Sequence, residues 1–182
     1  MQPSSPSKPH IAQLGHPVLR QQAKPVENIL SPECQSLISQ MIDTVQQANG
    51  VGIAAPQVYQ SLRIFIMSSK PNARYPDAPS MPITAMINPE IVDASTEMEK
   101  GWEGCLSVPS MRGFVPRHQQ ISVRYYDQQA TLQQTTFEGF LARVFQHELD
   151  HLDGITFVDR LESNHDLISE NEWYKQFASQ SE

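Results

Sequence analysis

Apolar residues first recur with helical spacing after Ser31: Cys34, Leu37, Ile38, Met41, Ile42 and Val45 fall at three- and four-residue intervals, which puts them on one stripe of a helix. Ser31 offers an N-cap oxygen, Pro32 suits the first turn, and Asn49-Gly50 supplies a stop. Beyond that point the period shortens. Runs over Leu62 to Met67, Ile83 to Val92, Ile121 to Tyr126 and Thr131 to Phe137, separated by turns containing Pro, Gly or Asp, predict strands. A second helix is predicted from Glu138 to Asp153, stopped by Gly154, with Phe140, Val144, His147 and His151 on one face. Helix, antiparallel strands, helix is the order of an α+β fold, a single domain with strands packed around the C-terminal helix. No internal repeat is present. Three segments are expected: a disordered leader over residues 1–10, a domain over 11–160, and a polar acidic C-terminal tail over 161–182.

Composition narrows the class. At 182 residues and 39 % hydrophobic content, the chain can bury a sizeable core without disulfides. A formal net charge of -7 argues against a nucleic-acid backbone as the main partner, and no nucleic-acid-binding motif is seen. Two cysteines, Cys34 and Cys105, form no disulfide framework and fit a reduced, cytoplasmic setting. Cys34 belongs to the first helix's apolar stripe and is expected in the core. No apolar run approaches the roughly 20 residues of a membrane span. The Ser- and Pro-rich start has neither the hydrophobic segment of a signal peptide nor the arginines of a transit peptide.

The chemistry is concentrated near the end of the second helix, at Gln146-His147-Glu148-Leu149-Asp150-His151. Two histidines four apart leave the same helical face, where they can share one metal ion, and the glutamate after the first sits beside it as a base for metal-bound water. Taken alone, the motif also suits an ordinary helix with satisfied histidines. A third donor is available in Glu103-Gly104-Cys105-Leu106-Ser107. One thiolate and two imidazoles leave the fourth tetrahedral position open, as a catalytic site requires; in isolation, Cys105 after a glycine reads first as a small core residue. Gly50-Val51-Gly52-Ile53-Ala54-Ala55-Pro56-Gln57 lacks the Walker lysine and the full dinucleotide spacing and follows a helix, so by itself it is a tight turn. His10, His16, His118 and His165 lack ligand spacing and are expected in loops or at the surface.

Together, and in this order, the three segments resemble the motifs of the peptide deformylases. The likeness starts at Leu14-Gly15-His16-Pro17-Val18-Leu19-Arg20 and runs to Asp159. The resemblance implies a metal-dependent hydrolase that removes the N-formyl group from the N-terminal formyl-methionine of nascent polypeptides and releases formate. Cys105, His147 and His151 would hold one divalent ion. Glu148 would take a proton from water and deliver it to the departing amine. The formyl oxygen would be stabilised by the ion, the Gln57 amide and the Leu106 backbone N–H. The ligand set accepts Fe(II), Zn(II), Ni(II) or Co(II); the family favours ferrous iron, with zinc a less active occupant. Gly50, Val51, Gly52, Gly104 and the segment from Cys105 to Pro109 would hold an extended peptide by its backbone. Val51, Phe140 and Val144 would line the methionine pocket, with Arg112 near the downstream backbone. Arg143, beside that lining, is expected to face solvent. Glu103, Arg117 and Asp150 could orient the ligand histidines, in pairings that the sequence leaves open.

The implied partners are N-formylmethionyl peptides and ribosome-associated nascent chains, with no membrane. Two alternatives are a zinc peptidase built on the same helix motif and a non-catalytic module stapled by its metal. Peptidases of that kind draw a third ligand from downstream, whereas Cys105 lies upstream of His147. Intact Glu148 and Gln57 weigh against the stapled module, because neither is needed to bind metal.

Overall fold

The computed structural model describes residues 10–72 and 75–178. Residues 1–9, most of the expected leader, lie outside the described residues, as do 179–182 at the end of the expected tail.

The first stripe forms α1, Pro32–Gln47, capped by the Ser31 hydroxyl, which accepts from the Cys34 N–H. Cys34, Ile38, Met41 and Val45 are buried along it, and just past its end Asn49 takes a left-handed conformation at φ 49° that asparagine tolerates. Five strands build the main sheet: β1 Gly52–Ala54, β2 Ile64–Ser69, β3 Met81–Ala94, β6 Gln120–Tyr126 and β7 Leu132–Glu138. Their order is β1-β2-β3-β6-β7, and every neighbour is antiparallel. α2, Gly139–Leu152, packs on β1 and β2, and α1 also packs on these strands.

The two helices explain why β2 is apolar throughout. Ile64 and Ile66 join Ile38, Met41 and Val45 in one core cluster, while Phe65 and Met67 join Phe145, Leu152 and Phe137 in another. A strand covered on both faces reads as a continuous hydrophobic run, without alternation. The Phe65 and Phe145 rings meet edge to face at a centroid separation of 5.1 Å.

A second sheet runs β4-β5-β8, from β4 Met98–Cys105, β5 Val108–His118 and β8 Leu167–Ser169. The β4–β5 hairpin escaped the sequence pattern because only Glu103 of β4 is fully buried, and its central residues include Gly101 and Gly104. The stretch after Asp159, expected from its polarity to be a surface segment, adds β8 to β5 through Met111, Arg112 and Gly113. A single turn, α3 Glu170–Trp173, follows, with Trp173 buried. Close approach rather than a turn sets the glycine at 113: a Cβ there would come within 2.6 Å of the Phe157 ring.

Candidate metal centre

α2 delivers its motif to the cleft between the two sheets. Its apolar face is anchored by Ala142, Val144 and Phe145, so the next turns carry His147, Glu148 and His151 inward, all buried. Cys105 ends β4 at the turn into β5. Donor atoms of Cys105, His147 and His151 all lie within 4.8 Å of one another, and Cys105 Sγ is 3.3 Å from His151 Nε2. Helix and hairpin are distant in sequence; packing alone joins them.

The His147 ring is oriented from behind. Its Nδ1 lies 2.9 Å from Glu103 Oε2, which leaves Nε2 for an ion. Glu103 is itself gripped by Arg117, whose Nε and Nη2 donate to the two carboxylate oxygens at 2.9 and 3.0 Å. Arg117 Nη1 also donates to Asp150 at 2.6 Å, and Arg160 closes on the other Asp150 oxygen at 2.6 Å. The pairings left open by the sequence are therefore Glu103–Arg117–Asp150, with Glu103 alone touching a ligand histidine. Burial would push the Glu103 carboxyl up, but the bonds from His147 and Arg117 overcome it and hold the group well below the usual carboxylate range.

Arg143 does not face solvent. It passes over Gly101, where a Cβ would come within 2.8 Å of its guanidinium, and donates to Glu103 Oε1 at 3.0 Å, to the Val115 carbonyl at 2.7 Å and to the Glu99 carbonyl at 2.6 Å. The reason lies in the hairpin, whose carbonyls create the acceptor site and which the sequence pattern did not reveal.

The cluster fits a divalent ion. Burial alone would keep the Cys105 thiol protonated, yet the neighbouring imidazoles pull it well below its ordinary range and so favour the thiolate that a metal requires. Glu148 has no hydrogen-bond partner for its buried Oε2, and His151 has none for its buried Nδ1. A buried carboxylate beside three donors and without a partner of its own is the arrangement left when an ion and a water are to be accommodated. Burial pushes the Glu148 carboxyl up to about 7, against the opposing pull of the two histidines.

Gln57 is fixed by its carbonyl end. Its Oε1 accepts from the Ala54 N–H at 2.8 Å, so Nε2 must face the site, where it donates to Ser107 Oγ at 3.1 Å and stands 3.6 Å from Cys105 Sγ. The glycine of β1 makes room on the opposite side: a Cβ at Gly52 would sit 2.3 Å from Glu148 Oε1. Sequence reasoning passed over Ser107, although it ends the second motif; its hydroxyl is the acceptor that positions Gln57.

A cleft of about 350 Å³ opens from this group. Gly50, Val51, Gly52, Gln57, Gly104, Cys105, Leu106, Arg112, Phe140, Val144, His147 and Glu148 all line it, so these residues, singled out from the sequence, border one space. His151 completes the ligand group behind it. Tyr75, Trp102 and Glu170 also line the cleft, and nothing in their local sequence marked them. His10, His16 and His165 are exposed, and none of the four unassigned histidines joins the cluster.

The family model for polypeptide deformylase matches residues 8–166. A peptide deformylase 2 from a Nostoc species is 60 % identical over 163 residues, covering 90 % of this chain and 91 % of that protein. A class I type b peptide deformylase from Acinetobacter baumannii, solved with Met-Ala-Ser bound, superposes with a TM-score of 0.81 at 48 % identity, covering 83 % of this chain and 96 % of that one. A peptide deformylase from Synechococcus elongatus in complex with actinonin gives 0.79 at 34 % identity, covering 96 % and 88 %. The α+β fold with its Cys/His/His group defines a metal-dependent hydrolase of the deformylase type. The chain belongs to the peptide deformylase family and is an enzyme of that type. No helix among the described residues is long and apolar enough to cross a membrane.

Proposed function

We propose that the protein hydrolyses the N-formyl group of N-formylmethionyl peptides emerging from ribosomes in the cytoplasm, with Glu148 as the proton carrier and Cys105, His147 and His151 as the ligands of one divalent ion. The observation that carries this reading is the unpartnered, buried Glu148 carboxylate beside the three donor atoms and at the inner end of the cleft. A divalent ion bound there supplies Lewis acidity and makes water a nucleophile near neutral pH.

The remaining steps belong to side chains. Glu148, with a carboxyl raised to about 7 by burial, can accept a proton from water and return it to the leaving amine near neutral pH. Gln57 Nε2, held in donor orientation by the Ala54 N–H, and the Leu106 N–H donate to the formyl oxygen as negative charge grows on it. Val51, Phe140 and Val144 enclose the methionine side chain. Gly50, Gly52 and Gly104 leave room for an extended peptide, whose downstream part runs toward Arg112.

The ion is proposed to be ferrous, with zinc or nickel as replacements, since one thiolate and two imidazoles accept all three; metal analysis of anaerobically purified protein that finds zinc without iron overturns this choice. For the reaction itself, formyl-Met-Ala and acetyl-Met-Ala are compared by assay of released carboxylate and free amine. Formate from the first and almost no acetate from the second is expected. Cleavage of the Met-Ala bond in either peptide would indicate a peptidase instead.

A further inference from the structure

One residue of the cleft wall, Glu170, comes from a segment beyond the family match, which ends at residue 166. After it, β8 pairs with β5, and α3 brings Glu170 and Trp173 against Arg112. Arg112 is only 1 % exposed. Its guanidinium lies 4.1 Å from the Trp173 ring centroid, 5.8 Å from that of Tyr174 and 6.0 Å from that of Tyr75. Nη2 donates to Glu170 Oε1 at 3.2 Å, and Nη1 stands 3.5 Å from the Tyr75 hydroxyl. Nε is buried with no partner.

A guanidinium removed from water needs a compensating anion, and Glu170 provides it. Glu170 differs from Arg112 in keeping 33 % of its side chain exposed while lining the same cleft as Cys105 and Glu148. The other ionised groups of the cleft wall are engaged elsewhere. Glu103 is held by Arg117 and Arg143, and Arg143 by Glu103 and backbone carbonyls; Glu148 belongs to the reacting end. Charge at the outer end is therefore governed by Arg112, which is buried, and Glu170, which faces the water that a departing peptide must cross.

We propose that Glu170 is a specificity-determining residue for the downstream part of the peptide, favouring a basic side chain where the peptide leaves the cleft and disfavouring an acidic one. The inference rests on the deformylase reading of the site. Because Glu170 touches no reacting atom, its effect belongs to binding, and it should appear in KM with kcat little changed. A partly exposed carboxylate interacts modestly with a mobile charge, so the expected preference of lysine over glutamate is about threefold to tenfold in kcat/KM at low salt, shrinking as salt screens it.

The test uses C-terminally amidated formyl-Met-Ala-Lys, formyl-Met-Ala-Ser and formyl-Met-Ala-Glu, together with peptides carrying the charged residue directly after methionine. The full-length, metal-loaded protein is assayed at low and high salt, alongside Glu170→Gln and Glu170→Asp. The wild type should rank Lys above Ser above Glu in at least one series. Glu170→Asp should keep that order, and Glu170→Gln should reverse it, because the Arg112 charge then stands uncompensated. The same ranking and ratios in wild type and Glu170→Gln overturn the inference while leaving the deformylase reading intact. No cleavage of formyl-Met-Ala-Ser amide by the wild type overturns both.

Discussion

Gly52 and Glu148 compete for one space. An alanine at 52 would place its Cβ 2.3 Å from Glu148 Oε1, which backbone on one side and a helix on the other cannot relieve without moving the carboxylate. Gly52→Ala should therefore imitate Glu148→Ala: each retains close to one metal per chain and loses at least about 100-fold in kcat, the scale of a general base. Cys105→Ala should lose metal and activity together. Metal content per chain and kcat, measured on the same samples, separate the cases; a near wild-type rate in Glu148→Ala removes that residue from the mechanism. The raised Glu148 carboxyl has a second consequence in the metal-free protein. Its folded-state value, about 7, lies above its ordinary 4.5, so the contribution to stability is fully present below about pH 4.5 and is lost as pH rises through about 7. Across that window the wild type should lose stability on the order of 3 kcal/mol relative to Glu148→Gln. Urea unfolding of both metal-free proteins at pH 5 and pH 8 measures the difference; equal gaps at the two pH values would contradict the assignment.

Between elements, Arg117 joins β5 to β4 through Glu103 and to α2 through Asp150. Burial would lower its pKa, but the two carboxylates raise it above the ordinary arginine value, so it stays charged at any working pH. Arg117→Met would leave two buried carboxylates short of a cation, at a cost of about 3–5 kcal/mol, read as a lower urea midpoint. It should also weaken metal binding about 10- to 100-fold, because Glu103 would no longer be held against His147. A variant as stable as the wild type would mean that Arg160 and Arg143 suffice. Sequence named Glu103, Arg117 and Asp150 but not their pairing, and for a physical reason: all three sit on different elements, and the register of β4 against β5, Glu99 opposite Arg117, is set by tertiary packing. The hairpin itself was illegible because residue type does not follow burial along it: in β5 the buried positions include Arg112, Gly113 and Arg117, while Phe114 is only half-buried.

For the molecule as a whole, the chain after Ser163 adds acidic charge and a buried tryptophan. Asp166, Glu170, Glu172 and Glu182 stand there against Lys175 alone, so removing this segment should not weaken association with ribosomes, whose phosphates repel it. Truncation should instead destabilise, since Trp173 is 9 % exposed and losing a buried tryptophan costs about 3–5 kcal/mol. Co-sedimentation with ribosomes and thermal unfolding check the two halves; a salt-sensitive loss of sedimentation would contradict the first. What the sequence by itself determined is local and periodic. The stripe from Cys34 to Val45 dictated α1, the apolar run from Leu62 to Met67 dictated a strand, and the four-residue spacing of His147 and His151 dictated a shared face, because helical and strand geometry depend only on neighbours along the chain. The resemblance to a family added roles for Cys105, Gln57 and Leu106. Only the tertiary structure decided how Cys105 meets two imidazoles, why Gln57 presents its nitrogen, where Arg143 goes and how a polar tail comes to wall the cleft. Those arrangements rest on contacts between residues far apart in sequence, which no local period records.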